Sequence, residues 1–495
     1  MAMKTHQTPK ASDLLFPVPL SIEDREGAYR LHHTTTIAAS PPFEAIADMA
    51  ASLLGCKRGG EDLLFKHQEG LEDEEYRLTI SKVQVVVTAS SERGAFYGLG
   101  AIRKLALLND NILPACTVAD KPAFQWRGFM LDCVRHFFSV DFIKKLIDAA
   151  SLFGLNRFHW HLTDDQGWRI PIDGWPQLKE VASKRTELQY PDGRSYGRMY
   201  TKEEIAEVQA YAHARQMIVI PEVETPGHVS ALLAAYPEFG CTEGPYEVQD
   251  RWGIFNEVLC AGNDKMLTFF EDVFEQVAQL FSGPYIHIGG DECPQDEWEQ
   301  CPKCQQRMKD EGLTRERQLQ SWLTSKISAM VHNVGKRPIG WDEVLDGTEQ
   351  LGIPSDLIVQ SWQGIEGGLE ASKRGHQVIM SPNTVGCYFD YKHFDSPEEM
   401  GTLGISTLRQ VASYTPTPAE MDAEAKKMVL GGQGNLWTER VLSSRQAEYL
   451  LFPRMFLLAQ QLWNPRDAEE NLSKLDLLNS YCQALDVTHY KGPVE

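Results

Sequence analysis

From Trp126 onward, short apolar runs alternate with amphipathic stretches of helical period. The runs Gly128–Asp132, Asn156–Leu162, Met217–Val223, Tyr285–Ile288, Arg337–Trp341, Leu357–Trp362, Gln377–Ser381 and Met428–Gly432 read as strands. Apolar runs this short and this continuous mark strands buried on both faces, the pattern of a parallel sheet. The stretches between them carry helix signals. Ser139 is placed to cap a helix whose Phe142, Ile143, Leu146, Ile147 and Ala150 share one face. Thr201-Lys-Glu-Glu204 forms a capping box for another. Eight strand-helix units in roughly 370 residues predict an α/β chain built on a (β/α)8 TIM barrel enlarged by loops.

Residues 1–120 follow a different pattern and are expected to form a smaller, non-catalytic α+β domain. Tyr76–Ile80 and Val83–Val87 read as paired strands rich in β-branched residues. Ser91–Leu105 reads as a helix, with Phe96, Leu99, Ile102 and Leu105 about three residues apart. Asp120-Lys-Pro122 marks the expected boundary, leaving 121–495 as the catalytic barrel. No short-period solenoid repeat is evident.

Charge narrows the partners. The 495 residues carry 48 basic and 69 acidic side chains, a formal net charge of -21. Such a surface repels phosphate backbones and anionic membranes, so no nucleic-acid partner is expected. No apolar run reaches membrane-spanning length. Met1–Phe16 has Lys4 and Lys10 but no apolar core of a secretory signal, which leads to the expectation of a cytoplasmic location. A signal removed earlier would leave no trace in the chain. Ten cysteines are thinly spread, the close spacing being Cys301-Pro-Lys-Cys304 with Cys293 eight residues before it. A zinc site needs four ligands and the spacing offers no fourth, so reduced thiols or one local disulfide are expected, with no metal and no cofactor.

The chemistry concentrates in Tyr285-Ile-His-Ile-Gly-Gly-Asp-Glu292. A short strand ends in two glycines, which release the backbone and let consecutive carboxylates turn into one cleft. Close carboxylates repel, so one is pushed toward its protonated form beside an anion. The plain alternatives are a surface pair or a divalent-cation site. Other strand ends carry reactive or binding residues too: Arg135, Asp164, Asp165, His228, Trp341, Trp362, Tyr388, Asp390, Trp437 and Glu439. In such barrels the chemistry gathers at the C-terminal ends of the strands, so these residues are expected to converge. His159 and His161 share a strand face; a hydrogen-bonded core pair is the simpler reading than a metal site. Three tryptophans after separate strands suit the C–H faces of a sugar or an acetamide.

With those residues in view, the chain resembles the family 20 glycoside hydrolases, the β-N-acetylhexosaminidases. Gly94–Leu99 is similar to the end of that family's N-terminal domain. Arg127–Phe137, His159–Trp168, Thr225–His228, His287–Glu292 and Gly434–Glu439 resemble successive barrel motifs in the family's order. The resemblance implies substrate-assisted, retaining hydrolysis, an exception to the usual two-carboxylate scheme. Glu292 would be the general acid and later the base. Asp291 would orient the substrate's 2-acetamido group, whose carbonyl oxygen is the nucleophile, and Tyr388 would hold the other end of that group. Arg135, Asp390 and Glu439 would take the outer hydroxyls, and Trp341, Trp362 and Trp437 would wall the acetamido pocket. Asp164 and His228 would form a relay to Glu292, with Asp165 able to stand in for Asp164. The expected partner is the terminal N-acetylhexosamine, GlcNAc or GalNAc, of an oligosaccharide or glycoconjugate.

Rival readings stay open at this level. They are a two-carboxylate retaining glycosidase, a lectin-like barrel, and a metal-dependent hydrolase using His159, His161, Asp164 and Asp291. A relative releasing N-acetylated disaccharides, like a lacto-N-biosidase, would differ only in pocket depth.

Overall fold

The computed structural model describes residues 9–186, 193–242, 244–349 and 351–495. The chain first lays down a seven-stranded mixed sheet in the order Ser21–Arg30, Ile112–Asp120, Tyr76–Ile80, Val85–Ala89, Leu63–His67, Thr36–Ala39, Lys57–Arg58. Alternation decides which face is covered. Tyr76, Leu78, Ile80, Val85, Val87 and Ala89 point inward and are buried, while Arg77 and Thr79 point away. The expected hairpin is present, with Leu78 opposite Val87, although its second strand begins at Val85 rather than Val83. The helices Glu44–Leu54 and Glu92–Leu108 share one core with that face. Ser91 caps the longer one by accepting a hydrogen bond from the Gly94 amide.

The barrel comes next in the chain. Its strands are β1 (Trp126–Asp132), β2 (Arg157–His161), β3 (Ile218–Thr225), β4 (Tyr285–Gly289), β5 (Arg337–Trp341), β6 (Ile358–Ser361), β7 (Val378–Met380) and β8 (Val429–Leu436). Each pairs in parallel with its sequence neighbours, and β8 closes onto β1 with Gln433 opposite Gly128. The helix Val140–Leu152 is capped by Ser139 as expected, and Lys202–Ala214 opens on the Thr201/Glu204 capping box. One expected unit departs from the pattern. Among the described residues the β5–β6 connection carries a 3₁₀ turn, Asp342–Leu345, in place of an α-helix. Gly347, Gly352 and Pro354 break up the rest of that connection.

The two domains meet at a buried arginine. The Arg127 guanidinium, at the start of β1, donates to both carboxylate oxygens of Glu74, at 2.7 and 3.0 Å, and to the Tyr97 hydroxyl at 2.8 Å. It also lies 5.1 Å from the Trp463 ring centroid. A planar fork suits this task because it meets two oxygens and an aromatic face together.

The barrel interior is layered. Trp126, Ile220, Ile339, Ile358, Ile379 and Leu430 form an apolar plug near the N-terminal ends of the strands. Above it the layer turns polar and centres on Glu222 of β3. Its carboxylate lies 2.8 Å from His287 Nδ1 and 3.0 Å from His159 Nε2, and also contacts His161 Nδ1. The Trp341 indole N–H donates to it at 2.8 Å. His159 and His161 are therefore core histidines sharing one carboxylate. That layer is the floor of the cleft at the C-terminal ends.

Candidate active site

At the end of β4, Gly289 and Gly290 take φ of 70° and 109°, and Glu292 follows at 45°. A side chain at Gly289 would run into the Glu224 carboxylate, and glutamate at positive φ is itself a strained conformation. This turn separates the two carboxylates. The Asp291 side chain is 10% exposed and that of Glu292 32%. Asp291 sits on the floor, and Glu292 reaches toward solvent.

His228, after β3, serves both. Its Nε2 lies 3.7 Å from Asp291 Oδ2 and 3.5 Å from Glu292 Oε2. On the other side of the ring, Nδ1 lies 3.0 Å from Asp165 Oδ2 and 3.3 Å from Asp164 Oδ1. Burial disfavours charge on this imidazole, but Asp164 and Asp291 outweigh it and lift its pKa well above the usual range. Asp165 is fixed in turn by the amide and hydroxyl of Ser230. Asp164 accepts from Arg135 Nη2 at 2.8 Å and contacts His161 Nε2 at 2.7 Å. Both aspartates thus flank His228, with Asp165 making the shorter contact.

Burial pushes the Asp291 carboxyl up to about 6; Glu222, Glu292 and Asp164 add to the shift, and the charged His228 opposes it. Its Oδ1 is buried with no hydrogen-bond partner among the described residues. Nearby, burial and then Asp291 lift both Glu224 and Glu343 well above the carboxylate range. An acidic floor of this kind favours any ligand that brings a donor or develops positive charge over it.

The cleft above encloses about 380 Å³. Of the expected site residues, Arg135, His228, Asp291, Glu292, Trp341, Trp362, Tyr388, Asp390, Trp437 and Glu439 line it. Asp164 does not; it lies beneath, fully occupied by Arg135, His161 and His228. Trp341 and Trp437 approach to 5.9 Å between centroids, and Trp362 stacks on Tyr388 at 6.0 Å. Trp362 is held by donating to Glu343 at 2.8 Å. Arg135 is held over Trp437, donating through Nε to Gln166 and lying 3.4 Å from Asp132 through Nη1. Each terminal nitrogen carries two hydrogens, and Asp132 and Asp164 take one apiece, which leaves a donor on each. Asp390 accepts from Thr402 at 2.8 Å, while its Oδ1 and Glu439 Oε2 are buried without partners among the described residues. Burial, then Glu439, lifts the Asp390 carboxyl to about 7. This wall therefore offers both donors and acceptors to a polar ligand.

The cleft also contains Trp252, Gly253, Tyr391, Thr402, Gly404 and Arg440, which no sequence signal singled out. Tyr391 and Arg440 were one residue beyond Asp390 and Glu439. Trp252 comes from the long irregular loop after β3 and carries no periodic mark. Glu343, two residues after Trp341, was missed as well.

Two carboxylates, a histidine of raised proton affinity, an aromatic wall and buried polar atoms without partners among the described residues, all at the mouth of a (β/α)8 barrel, make a cleft of the glycoside-hydrolase kind. The catalytic-domain profile of glycosyl hydrolase family 20 matches residues 124–466, and the profile of that family's domain 2 matches residues 14–121. The chain belongs to glycosyl hydrolase family 20. It is 38% identical over 95% of its length to a beta-hexosaminidase of Porphyromonas gingivalis, of which it spans 62%. It is 33% identical over 91% of its length to a beta-hexosaminidase of Vibrio furnissii, of which it spans 77%. Among solved structures, an exo-beta-N-acetylglucosaminidase of Vibrio harveyi in complex with N-acetylglucosamine superposes with a TM-score of 0.88 at 28% identity. That similarity covers 97% of this chain and 78% of the other.

Proposed function

We propose that this protein is a retaining exo-β-N-acetylhexosaminidase that releases terminal β-linked GlcNAc, and GalNAc as well, by substrate assistance. The observation that carries this reading is the buried, unpartnered Oδ1 of Asp291 on the acidic floor, beside Tyr388 and the tryptophan wall. A buried acceptor without a donor is costly, and a 2-acetamido N–H supplies that donor.

The placement supports the following steps. Glu292, the more exposed carboxyl, protonates the glycosidic oxygen as the aglycone leaves. The acetamido carbonyl oxygen closes onto the anomeric carbon, oriented by Tyr388 at the oxygen and Asp291 at the nitrogen. Positive charge on the resulting oxazolinium ring lies over ionised Asp291. Glu292 then takes a proton from water, which opens the ring from the aglycone's side and retains the configuration. Arg135, Asp390 and Glu439 stand together on one wall and take the outer hydroxyls, which suits attack at a chain end. Acceptance of both epimers rests on Arg135 and Glu439 tolerating either orientation of the 4-hydroxyl.

The test compares an aryl N-acetyl-β-glucosaminide with the plain aryl β-glucoside. Turnover of the first with little of the second is expected. Equal turnover would replace the acetamide by a protein nucleophile and return the two-carboxylate reading.

A further inference from the structure

Four cysteines from three separate segments converge beside the active-site loops. The sulfurs of Cys241, Cys260, Cys301 and Cys304 all lie within 4.8 Å of one another. Cys241–Cys304, Cys260–Cys301 and Cys260–Cys304 are each 3.7 Å apart. Four thiolates around zinc at about 2.3 Å form a tetrahedron whose edge is about 3.8 Å. A disulfide joins one sulfur pair and leaves the others out. Here Cys260 and Cys304 each face two sulfurs at the same distance. We propose that these four thiols bind one structural zinc ion, which clips the loop after β3 to the loop after β4.

The backbone is arranged for it. The antiparallel bridge Gly240–Leu259 and the bond from the Cys260 amide to the Phe239 carbonyl bring Cys241 and Cys260 side by side. The Trp298 indole donates to the Leu259 carbonyl at 2.9 Å and ties that pair to the segment after β4. Cys301 occupies the N-cap position of the helix Pro302–Glu311 and Cys304 lies in its first turn, so the positive end of the helix dipole faces the sulfurs. Gly262 fits because any side chain there would collide with the Lys303 backbone. A helix N-terminus suits the negative charge of a tetrathiolate. Thiolates select zinc over magnesium or calcium, and a closed set of four leaves no open position for catalysis. Cys293, which precedes Cys301 by eight residues in the chain, stands apart with its thiol toward the Pro294 carbonyl.

The consequence is positional. Cys241 and Cys260 close the base of a loop whose residues Trp252 and Gly253 line the cleft, and Cys301 and Cys304 follow Asp291 and Glu292 in the chain. The ion would hold the two walls in register without touching the sugar.

Metal analysis of the untagged protein, purified under reducing conditions, tests this apart from any activity. One zinc per chain is expected, released when a mercurial titrates the thiols. Cobalt substitution should give thiolate-to-metal charge transfer and the intense visible bands of a tetrahedral site. Cys241→Ser, at the half-buried ligand, should lower zinc affinity at least tenfold, and Cys56→Ser, in the N-terminal domain, should leave it unchanged. Zinc removal should raise KM severalfold while kcat changes less. Iron in place of zinc, a disulfide among the four, or metal-free protein that gains no zinc from added salt would overturn the proposal. The metal content, the cobalt spectrum and the zinc affinity concern the metal alone, so they stand even if the hydrolytic reading fails.

Discussion

Asp291 and Glu292 are consecutive residues, yet the first is sunk in the floor at 10% exposure and the second is 32% exposed, with one histidine nitrogen within 3.7 Å of both. The separation comes from the backbone, since the turn through Gly289 and Gly290 ends with Glu292 at positive φ. Adjacent carboxylates are poorly placed to attack a ring from opposite faces. They suit a division in which one addresses the leaving group and the other the acetamide.

Glu292→Gln tests the first half of that division. The amide can neither donate nor accept the proton, so kcat for unactivated glycosides should fall by about 10²–10⁴-fold. An activated aryl leaving group needs little protonation, and its first step should suffer less. A uniform loss across leaving groups would remove Glu292 from the acid role.

The pH profile tests the second half. In the proposed mechanism Asp291 works ionised, and its carboxyl is pushed up to about 6 by burial. Hence kcat/KM should fall about tenfold per pH unit below that value, as the anion is lost. Asp291→Asn should abolish this limb and damage every substrate, and a thiazoline mimic of the intermediate should lose affinity. His228→Asn removes the positive charge that holds Asp291 down, so the limb should move to higher pH. An unmoved limb in both variants would place the titration elsewhere.

Arg135→Lys keeps the charge but removes the fork. Asp132, Asp164 and Gln166 all lie within 3.4 Å of the guanidinium, and a single ammonium cannot serve them and a sugar together. The loss should be about 1.5–3 kcal/mol, roughly 10- to 150-fold in kcat/KM. A change below about threefold would mean that Arg135 does not contact the sugar.

What was legible in the chain came from burial. Strands covered on both faces cannot hide their apolar runs, so all eight barrel strands could be read within a few residues of their ends. The site was legible because strand ends converge whatever the loops do. Where a residue's role depended on which way a side chain turns, pattern could not decide. Asp164 and Asp165 are neighbours with equal chemistry; Arg135 draws one and Ser230 the other. Trp252, Cys241 and Cys260 lie in a loop without periodicity, and backbone pairing at its base brings the cysteines together. The missing β5–β6 helix had the same origin, since a 3₁₀ turn of four residues leaves no helical stripe.

Glu222 should be the most consequential residue beneath the site. Burial opposes its charge, yet His287, His161 and His159 hold its carboxyl well below the usual range. Its stabilising contribution is therefore complete above the ordinary glutamate value, about 4.3, and is lost only as acid protonates it in the folded state. His161 is the complement. Burial lowers its proton affinity, but Glu222 and Asp164 more than reverse this, and its pKa rises to about 10. Its contribution is complete below about 6.5 and drains away as pH climbs toward the folded value. Glu222→Gln keeps the shape and removes the anion. Breaking a buried charge pair on one side costs about 3–5 kcal/mol, so the variant should unfold in less denaturant near neutral pH. The wild type should lose stability as pH rises from about 7 to about 10, and the variant, whose His161 keeps only Asp164 and so holds its proton less tightly, should lose less. The difference in unfolding free energy between the two should therefore narrow across that range. A difference that stays constant from neutral to alkaline pH would show that His161 is not held charged by Glu222.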